Sequence, residues 1–208
     1  MSSRIRDMIN RKTFPYVTVG IIVLNVAYFV ILVIGGSPAN AGYMLSRGAD
    51  FAPYVFEKFE VWRLLTSMFM HFSVTHLAAN MIYLGILGFT YEKAIGHVKF
   101  LVIYMLSGIG AGLVSCAVYQ ISQDPVVSAG ASGALYGLIG MVIYLMYTAT
   151  KRTGSGRMFG RVGIMLIFMF YSSFRSGKGI DIAAHIGGLV FGILLSIMFL
   201  PVRRNKKK

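Results

Sequence analysis

Long apolar runs, separated by short polar and basic segments, cover most of this chain of 208 residues. A helix needs about 18–20 apolar residues to cross the hydrocarbon core of a bilayer, and several of the runs approach or exceed that length. The fifth run is the weakest, with about ten unbroken apolar residues, and it predicts a short or tilted helix. The pattern as a whole predicts six membrane-spanning helices, at residues 16–34, 76–89, 100–119, 132–148, 162–171 and 182–200.

The composition is typical of an all-α, polytopic membrane protein. Hydrophobic residues make up 56% of the chain and charged residues only 13%, whereas a soluble domain carries about 25% charged residues. We expect one six-span domain at 15–200, between short basic tails at 1–14 and 201–208. Cys116 is the only cysteine, so neither an intrachain disulfide nor a cysteine-based zinc site can form.

Basic residues cluster at the ends of the apolar runs and account for the net charge of +13. This placement indicates contact with the lipid bilayer, and we expect no nucleic acid as a partner. Lysine and arginine are enriched in cytoplasmic loops. With both termini inside, 15 of the 20 basic residues lie on the cytoplasmic side. We therefore expect an integral membrane protein with both termini in the cytoplasm. A bacterial plasma membrane is its expected location.

The first external connection, at 35–75, is too long to be a simple link between two spans. It carries many aromatic residues and few charges, as interfacial segments do. We therefore expect it to form an element that lies in the headgroup region. Its aromatic residues include Phe51, Tyr54, Phe56, Phe59, Trp62, Phe69 and Phe72.

Ser132 and His185 are polar residues within two of the predicted spans. Ser132 opens the fourth predicted span, within Gly130-Ala131-Ser132-Gly133, and His185 lies early in the last span. A charge at mid-span costs about 2.5 kcal/mol or more, so an ionisable residue there indicates a function. Serine and histidine are the residue types of a nucleophile and its general base, which predicts hydrolysis within the membrane. Asp181 lies one turn before His185, outside the span, so we expect a dyad without a buried acid.

His76 and Asn80 are four residues apart, so they share one face of a helix. They begin the second span on the same outer side as Ser132, and four polar groups at similar depth favour a site just below the outer surface. Either side chain could donate a hydrogen bond to an oxyanion, beside the free backbone N–H groups where the helix of Ser132 begins. The alternative for either residue alone is a polar contact between helices, worth about 1 kcal/mol. Tyr136, one turn after Ser132, either stacks on the imidazole of His185 or is a plain core aromatic.

Glycines in two of the spans predict how the histidine reaches the serine. Gly188 and Gly192 follow His185 on one helix face, a small-xxx-small pattern that lets two helices pack closely. Glycines also thin the fourth span. We expect close packing of the fourth and sixth spans to bring Ser132 within hydrogen-bond reach of His185, although the same pattern also occurs as an ordinary packing motif.

Taken together, five motifs resemble those of the rhomboid family of intramembrane serine proteases. The resemblance covers most of the chain from Trp62 onward, and the order and spacing of the motifs on the spans make it specific. The motifs are Trp62-Arg63 in the first loop, His71 followed by His76-Leu77-Ala78-Ala79-Asn80 (HxxxN), Tyr91-Glu92-Lys93, Gly130-Ala131-Ser132-Gly133 (GxSG), and Ala184-His185-Ile186-Gly187-Gly188 with Gly192 (AHxxGxxxG).

The resemblance implies a six-helix, rhomboid-like bundle with a membrane-embedded first loop that contains Trp62 and Arg63. It implies that Ser132 is a nucleophile that forms an acyl-enzyme and that His185 is its base. His76, Asn80 and the backbone N–H of Ser132 would form the oxyanion hole, supported by Tyr136, Gly130, Gly188 and Gly192. The substrates would be transmembrane segments of other membrane proteins, with small residues near the cut. Neither a cofactor nor a metal is expected.

Other classes of membrane protein agree less well with the sequence. A site-2-type metalloprotease needs HExxH, whereas the stretch from His71 to His76 is HFSVTH. A presenilin-type aspartyl protease needs two intramembrane aspartates, and the predicted spans contain none. A transporter is disfavoured because the two halves of the chain show no repeat. One alternative stays open: a catalytically inactive rhomboid-like protein that binds transmembrane helices as a chaperone or adaptor, although such relatives typically lack the serine or the histidine. The oligomeric state also stays open.

Overall fold

The computed structural model of the chain describes residues 13–153 and 181–200. Within these ranges the chain is helical, apart from loops and one isolated antiparallel bridge between Asp50 and Ser128. The predicted all-α, polytopic fold class is confirmed. The elements are α1 (Tyr16–Gly35), α2 (Ala41–Ser46), α3 (Ala52–Phe56), α4 (Arg63–Thr66), a 3₁₀ turn (Ser67–Phe69), α5 (Val74–Ile95), α6 (His97–Ser122), α7 (Ser132–Thr153) and α8 (Ile182–Phe199).

Among the described residues, four helices are long and apolar enough to cross a membrane: α1, α6, most of α7 and α8. The helix α5 belongs to a bent pair, in which it meets the segment Arg63–Phe69 at an angle of 93°. These five helices coincide, to within a few residues, with five of the six predicted spans. The remaining predicted span, at 162–171, lies outside the described residues, and the limits of the six-span domain at 15–200 stay a prediction.

The helix α5 is longer than its predicted span of 76–89, and a cap at each end explains its limits. The Ser73 hydroxyl accepts the backbone N–H of His76 at 3.1 Å, as is typical of a residue that caps a helix start. Gly96 ends the helix with a φ of 92°, a left-handed conformation that glycine adopts without steric cost.

Glu92, near the end of α5, ties this helix to the start of α1. Its side chain is fully buried. Its carboxylate accepts the backbone N–H groups of Val17 and Thr18, at 3.0 and 2.7 Å. A carboxylate in this position satisfies free N–H groups at a helix start and interacts favourably with the helix dipole. The acidic residue at the end of the second span therefore joins the first two spans.

In the part of the chain that the structure describes, α7 is the most buried of the candidate spans. Glycines let α8 pack directly against it. A Cβ atom at Gly188 would overlap the backbone carbonyl of Gly133, and a Cβ atom at Gly192 would overlap the carbonyl of Gly137. The close approach of these two helices, expected from their glycines, is therefore present in the structure, and it leaves no room for a methyl group at either position.

Arg63 is buried within the first loop and forms hydrogen bonds with several of its residues. Only 5% of its surface is exposed. Its Nη1 donates to the carbonyls of Leu45 and Ala49 at 2.7 and 3.0 Å, and its Nε donates to the carboxylate of Glu60 at 2.6 Å. The guanidinium carbon also lies 4.7 Å from the ring centre of Trp62. One side chain thus fixes the path of the loop at several points that are distant in sequence.

Replacing Arg63 by alanine is expected to lower the free energy of unfolding by about 2–6 kcal/mol, since each of the two carbonyls left without a donor costs about 1–3 kcal/mol. Unfolding of the purified protein in detergent measures this loss. Arg47→Ala is the matched control, because Arg47 is exposed and lies over the ring of Tyr43 at 5.2 Å. An equal, small loss in both variants would contradict the structural role of Arg63.

Candidate active site

Ser132 and His185 lie side by side where α7 and α8 begin. Ser132 is the first residue of α7 and His185 is the fourth residue of α8. The Oγ atom of Ser132 is 3.1 Å from Nε2 of His185, within hydrogen-bond distance. The imidazole is buried, with 5% of the residue exposed. The other ring nitrogen, Nδ1, has no hydrogen-bond partner among the described residues.

Tyr136 lies one helical turn after Ser132 and stacks on the imidazole of His185. The two ring centres are 4.1 Å apart and the ring planes differ by 18°. The phenol oxygen is buried and has no hydrogen-bond partner in the described part of the chain. Tyr136 therefore contacts His185 through its ring face.

His76 and Asn80 lie one turn apart on α5, and both are next to the segment that leads to Ser132. A Cβ atom at Gly130 would lie 2.9 Å from Nε2 of His76 and 3.7 Å from Nδ2 of Asn80. Gly130 has a φ of 139°, so both the backbone conformation and the space require glycine. Nδ2 of Asn80 is buried without a hydrogen-bond partner among the described residues.

Two aromatic rings from the first loop surround the imidazole of His76. The ring of His71 meets it edge to face, with centres 5.0 Å apart. The ring of Phe72 lies parallel to it, with centres 6.4 Å apart. His71, which the sequence predicts only as part of a motif, is fully buried. These contacts limit the orientations that His76 can take.

The first loop lies at the same end of the bundle as Ser132. The backbone N–H of Gly130 donates to the carbonyl of Ser67 at 2.9 Å. Two residues earlier, Ser128 and Asp50 exchange both backbone hydrogen bonds, at 2.8 and 2.9 Å. The segment that leads to Ser132 is therefore held against the loop at two points.

Asp181 makes more hydrogen bonds in this region than its position in the sequence predicts. Its side chain accepts hydrogen bonds from Ser115, Ser128 and the backbone of Ala184. Asp50 is nearby, and burial, together with the negative charge of Asp181, raises the pKa of Asp50 to about 7. An aspartate just before an apolar run is a sequence signal for a helix cap. No sequence signal identifies the two distant serines as its partners.

Within the described residues, no group of three or more histidine, cysteine, aspartate or glutamate side chains could hold a metal ion. The polar atoms that come together are a hydroxyl, imidazole nitrogens and an amide. Such a set can provide a nucleophile, a base and hydrogen-bond donors.

These observations define a class of protein, an α-helical membrane protein with a serine and a histidine in contact between two closely packed spans. The Rhomboid domain family matches residues 58–202 of the chain. The chain belongs to the rhomboid family, as the motifs in its sequence predicted.

Several named proteins are similar over most of the chain. RHOMBOID-like protein 1 of Arabidopsis thaliana is 32% identical over 90% of this chain and 54% of its own length. Rhomboid protease AarA of Providencia stuartii is 31% identical, over 89% of this chain and 73% of its own length. Rhomboid protease GluP of Bacillus subtilis (strain 168) is 33% identical, over 88% of this chain and 34% of its own length. The chain thus spans about half of the first of these relatives and a third of the last.

Proposed function

We propose that this chain is an intramembrane serine protease that cleaves transmembrane segments of other membrane proteins. The observation that carries the proposal is the 3.1 Å distance between Ser132 Oγ and His185 Nε2, on two helices of an apolar bundle. Two relatives, AarA and GluP, are named rhomboid proteases, which supports the same activity. The chemistry needs only the side chains of the protein and water.

In the proposed mechanism, Ser132 is the nucleophile and His185 is the general base. Nε2 of His185 takes the hydroxyl proton while Oγ attacks the carbonyl carbon of the scissile peptide bond, and the imidazolium then gives that proton to the leaving amine. The C–N bond breaks, and an ester joins Ser132 to the acyl part of the substrate. The same imidazole then activates a water molecule, which hydrolyses the ester and restores both side chains. Stacking on Tyr136 holds the imidazole in one plane throughout.

The negative charge of the tetrahedral intermediate needs hydrogen-bond donors that are already in place. We assign this role to His76, Asn80 and the backbone N–H of Ser132. The unpartnered Nδ2 of Asn80 and its closeness to Gly130 support the assignment. The start of α7 adds free N–H groups and the positive end of a helix dipole. Gly130, Gly188 and Gly192 support the site by allowing close backbone approach.

We further propose that the site opens toward the outer side of a bacterial plasma membrane. His76, Ser132 and His185 all lie within the first four residues of their helices, so the site is close to one end of the bundle. Lys93, near the end of α5, and Lys99, near the start of α6, lie at the end of the bundle away from the site. The positive-inside rule favours the cytoplasm for that end. Both termini then lie in the cytoplasm.

Labelling of introduced cysteines is expected to show this orientation. In a Cys116→Ala background, a membrane-impermeant thiol reagent applied to intact cells should label Ser46→Cys, in the first loop, and should not label Ser155→Cys. After cell lysis both positions should react, which is the control for reagent access. Labelling of Ser155→Cys alone in intact cells would reverse the topology and move the site to the cytoplasmic side.

The intact pair of Ser132 and His185 favours a protease over an inactive rhomboid-like chaperone or adaptor. The purified protein is tested with two reagents: a synthetic transmembrane substrate that has small residues near the outer end of its span, and a serine-directed fluorophosphonate. We expect cleavage of the substrate and covalent labelling of Ser132. Binding of the substrate without cleavage, and without labelling, would instead support the chaperone or adaptor.

A further inference from the structure

Asp181 immediately precedes α8, which carries His185, and its side chain contacts the segment that leads to Ser132. Its Oδ1 accepts the backbone N–H of Ala184 at 2.8 Å, and its backbone carbonyl accepts the N–H of His185 at 3.1 Å. This is the geometry of an N-cap, and it fixes where α8 begins. Because His185 is one turn further on, the cap also fixes the depth and rotation of the imidazole.

The other carboxylate oxygen of Asp181 reaches away from α8. Oδ2 accepts the hydroxyl of Ser128 at 2.6 Å and the hydroxyl of Ser115, on α6, at 2.5 Å. Ser128 is four residues before Ser132, in the segment that leads to it. Hydrogen bonds to a charged acceptor are about twice as strong as those between neutral groups. One carboxylate thus connects the start of α8, the helix α6 and the segment before Ser132.

The backbone of this segment is held from the other side. Ser128 pairs with Asp50 through two backbone hydrogen bonds, while its side chain is held by Asp181. The position of Ser132 relative to His185 therefore depends on a short path through Ser128 and Asp181. In the structure, Asp181 has no hydrogen bond to either member of the pair through its side chain, so any effect on catalysis acts through position.

We propose that Asp181 is a positioning residue that keeps Ser132 and His185 in register for proton transfer. This proposal rests on the proposed protease function. A misplacement of reacting groups by about 1 Å can cost about 10²-fold in rate. Loss of the carboxylate should therefore lower kcat more than it changes KM, because Asp181 acts on the relative position of Ser132 and His185.

The test compares Asp181→Ala, Asp181→Asn and Ser128→Ala with the wild type, as full chains in detergent or lipid vesicles. We expect Asp181→Ala to lower kcat by about 10–10²-fold, with KM within about twofold of wild type. Asp181→Asn retains an oxygen that can cap α8, so its kcat should fall by less than that of Asp181→Ala. Ser128→Ala should lower kcat by less than Asp181→Ala, and adding it to Asp181→Ala should cause no further loss. Asp124→Asn is the matched control, because Asp124 is an exposed acidic residue, and its kcat should equal that of wild type.

A readout that does not need a peptide substrate separates position from folding. The rate at which a fluorophosphonate labels Ser132 should fall in Asp181→Ala in parallel with kcat, at a temperature where thermal unfolding shows that each variant is folded. A folded Asp181→Ala with the kcat and labelling rate of Asp124→Asn would overturn the positioning role. If Asp181→Ala does not fold, Asp181→Asn and Ser128→Ala decide the same question, and wild-type rates in both would overturn it. A wild-type protein that neither cleaves nor is labelled would overturn the protease function itself, which the Asp181 variants alone cannot do.

Discussion

Ser132→Ala is expected to abolish cleavage of a transmembrane substrate, with a loss of about 10⁴–10⁶-fold in kcat as in other serine proteases that lose their nucleophile. The physical reason is that no acyl-enzyme can form without the hydroxyl that lies 3.1 Å from Nε2 of His185. Cleavage by the purified protein is measured over hours by gel or mass spectrometry. The same variant should take up no fluorophosphonate, whereas the wild type should gain one label on Ser132.

A matched control shows whether the loss is specific. Ser122→Ala removes another hydroxyl from a helix, at the exposed end of α6, and should leave cleavage and labelling unchanged. Both variants should unfold at nearly the wild-type temperature, because Ser132 is the first residue of its helix and the change is small. Cleavage that persists in a folded Ser132→Ala protein would contradict the assignment of the nucleophile.

The sequence predicts the contact between Ser132 and His185 because small residues report directly on helix packing. Gly188 and Gly192 lie where α8 meets the backbone of α7, and only glycine allows that approach. A stretch of apolar residues likewise predicts a span, and five predicted spans coincide with described helices. These signals are local: each depends on residue size or hydrophobicity within a few turns.

Contacts between distant segments could not be predicted in the same way. Arg63 is a charged residue in an aromatic loop, and nothing near it in sequence shows that the carbonyls of Leu45 and Ala49 are its partners. The serine partners of Asp181 are 53 and 66 residues away. Such hydrogen bonds depend on how the loop folds back onto the bundle, and many arrangements of the loop have the same local composition.

The buried polar groups of the first loop and the site differ in how completely they are hydrogen-bonded. Asp181 uses both carboxylate oxygens, and Arg63 uses several of its donors. In contrast, Nδ2 of Asn80 and Nδ1 of His185 are buried without partners among the described residues. A buried donor without a partner costs about 1–3 kcal/mol. A free donor of this kind is explained if it becomes paired when the substrate reacts, which is the role proposed for Asn80.

Asn80→Ala is therefore expected to lower kcat by about 10²–10³-fold, the typical cost of losing one donor from an oxyanion hole. KM should change little, because the hydrogen bond strengthens only as negative charge develops in the transition state. If Asn80 were instead a polar contact between helices, the same change would lower stability by about 1 kcal/mol with a modest effect on rate. Steady-state kinetics and thermal unfolding on one preparation distinguish the two.

The chain contains a suitable control for this comparison in Asn25, a second asparagine buried in a membrane-spanning helix. Nδ2 of Asn25 donates to the carbonyl of Ile21 within α1, at 2.8 Å. Asn25→Ala should therefore change the free energy of unfolding and leave kcat at the wild-type value. The expected pattern is a loss of turnover confined to Asn80→Ala. If both variants lose stability and both keep near-normal turnover, Asn80 has no part in the oxyanion hole, and the backbone N–H of Ser132 and the imidazole of His76 must stabilise the charge without it.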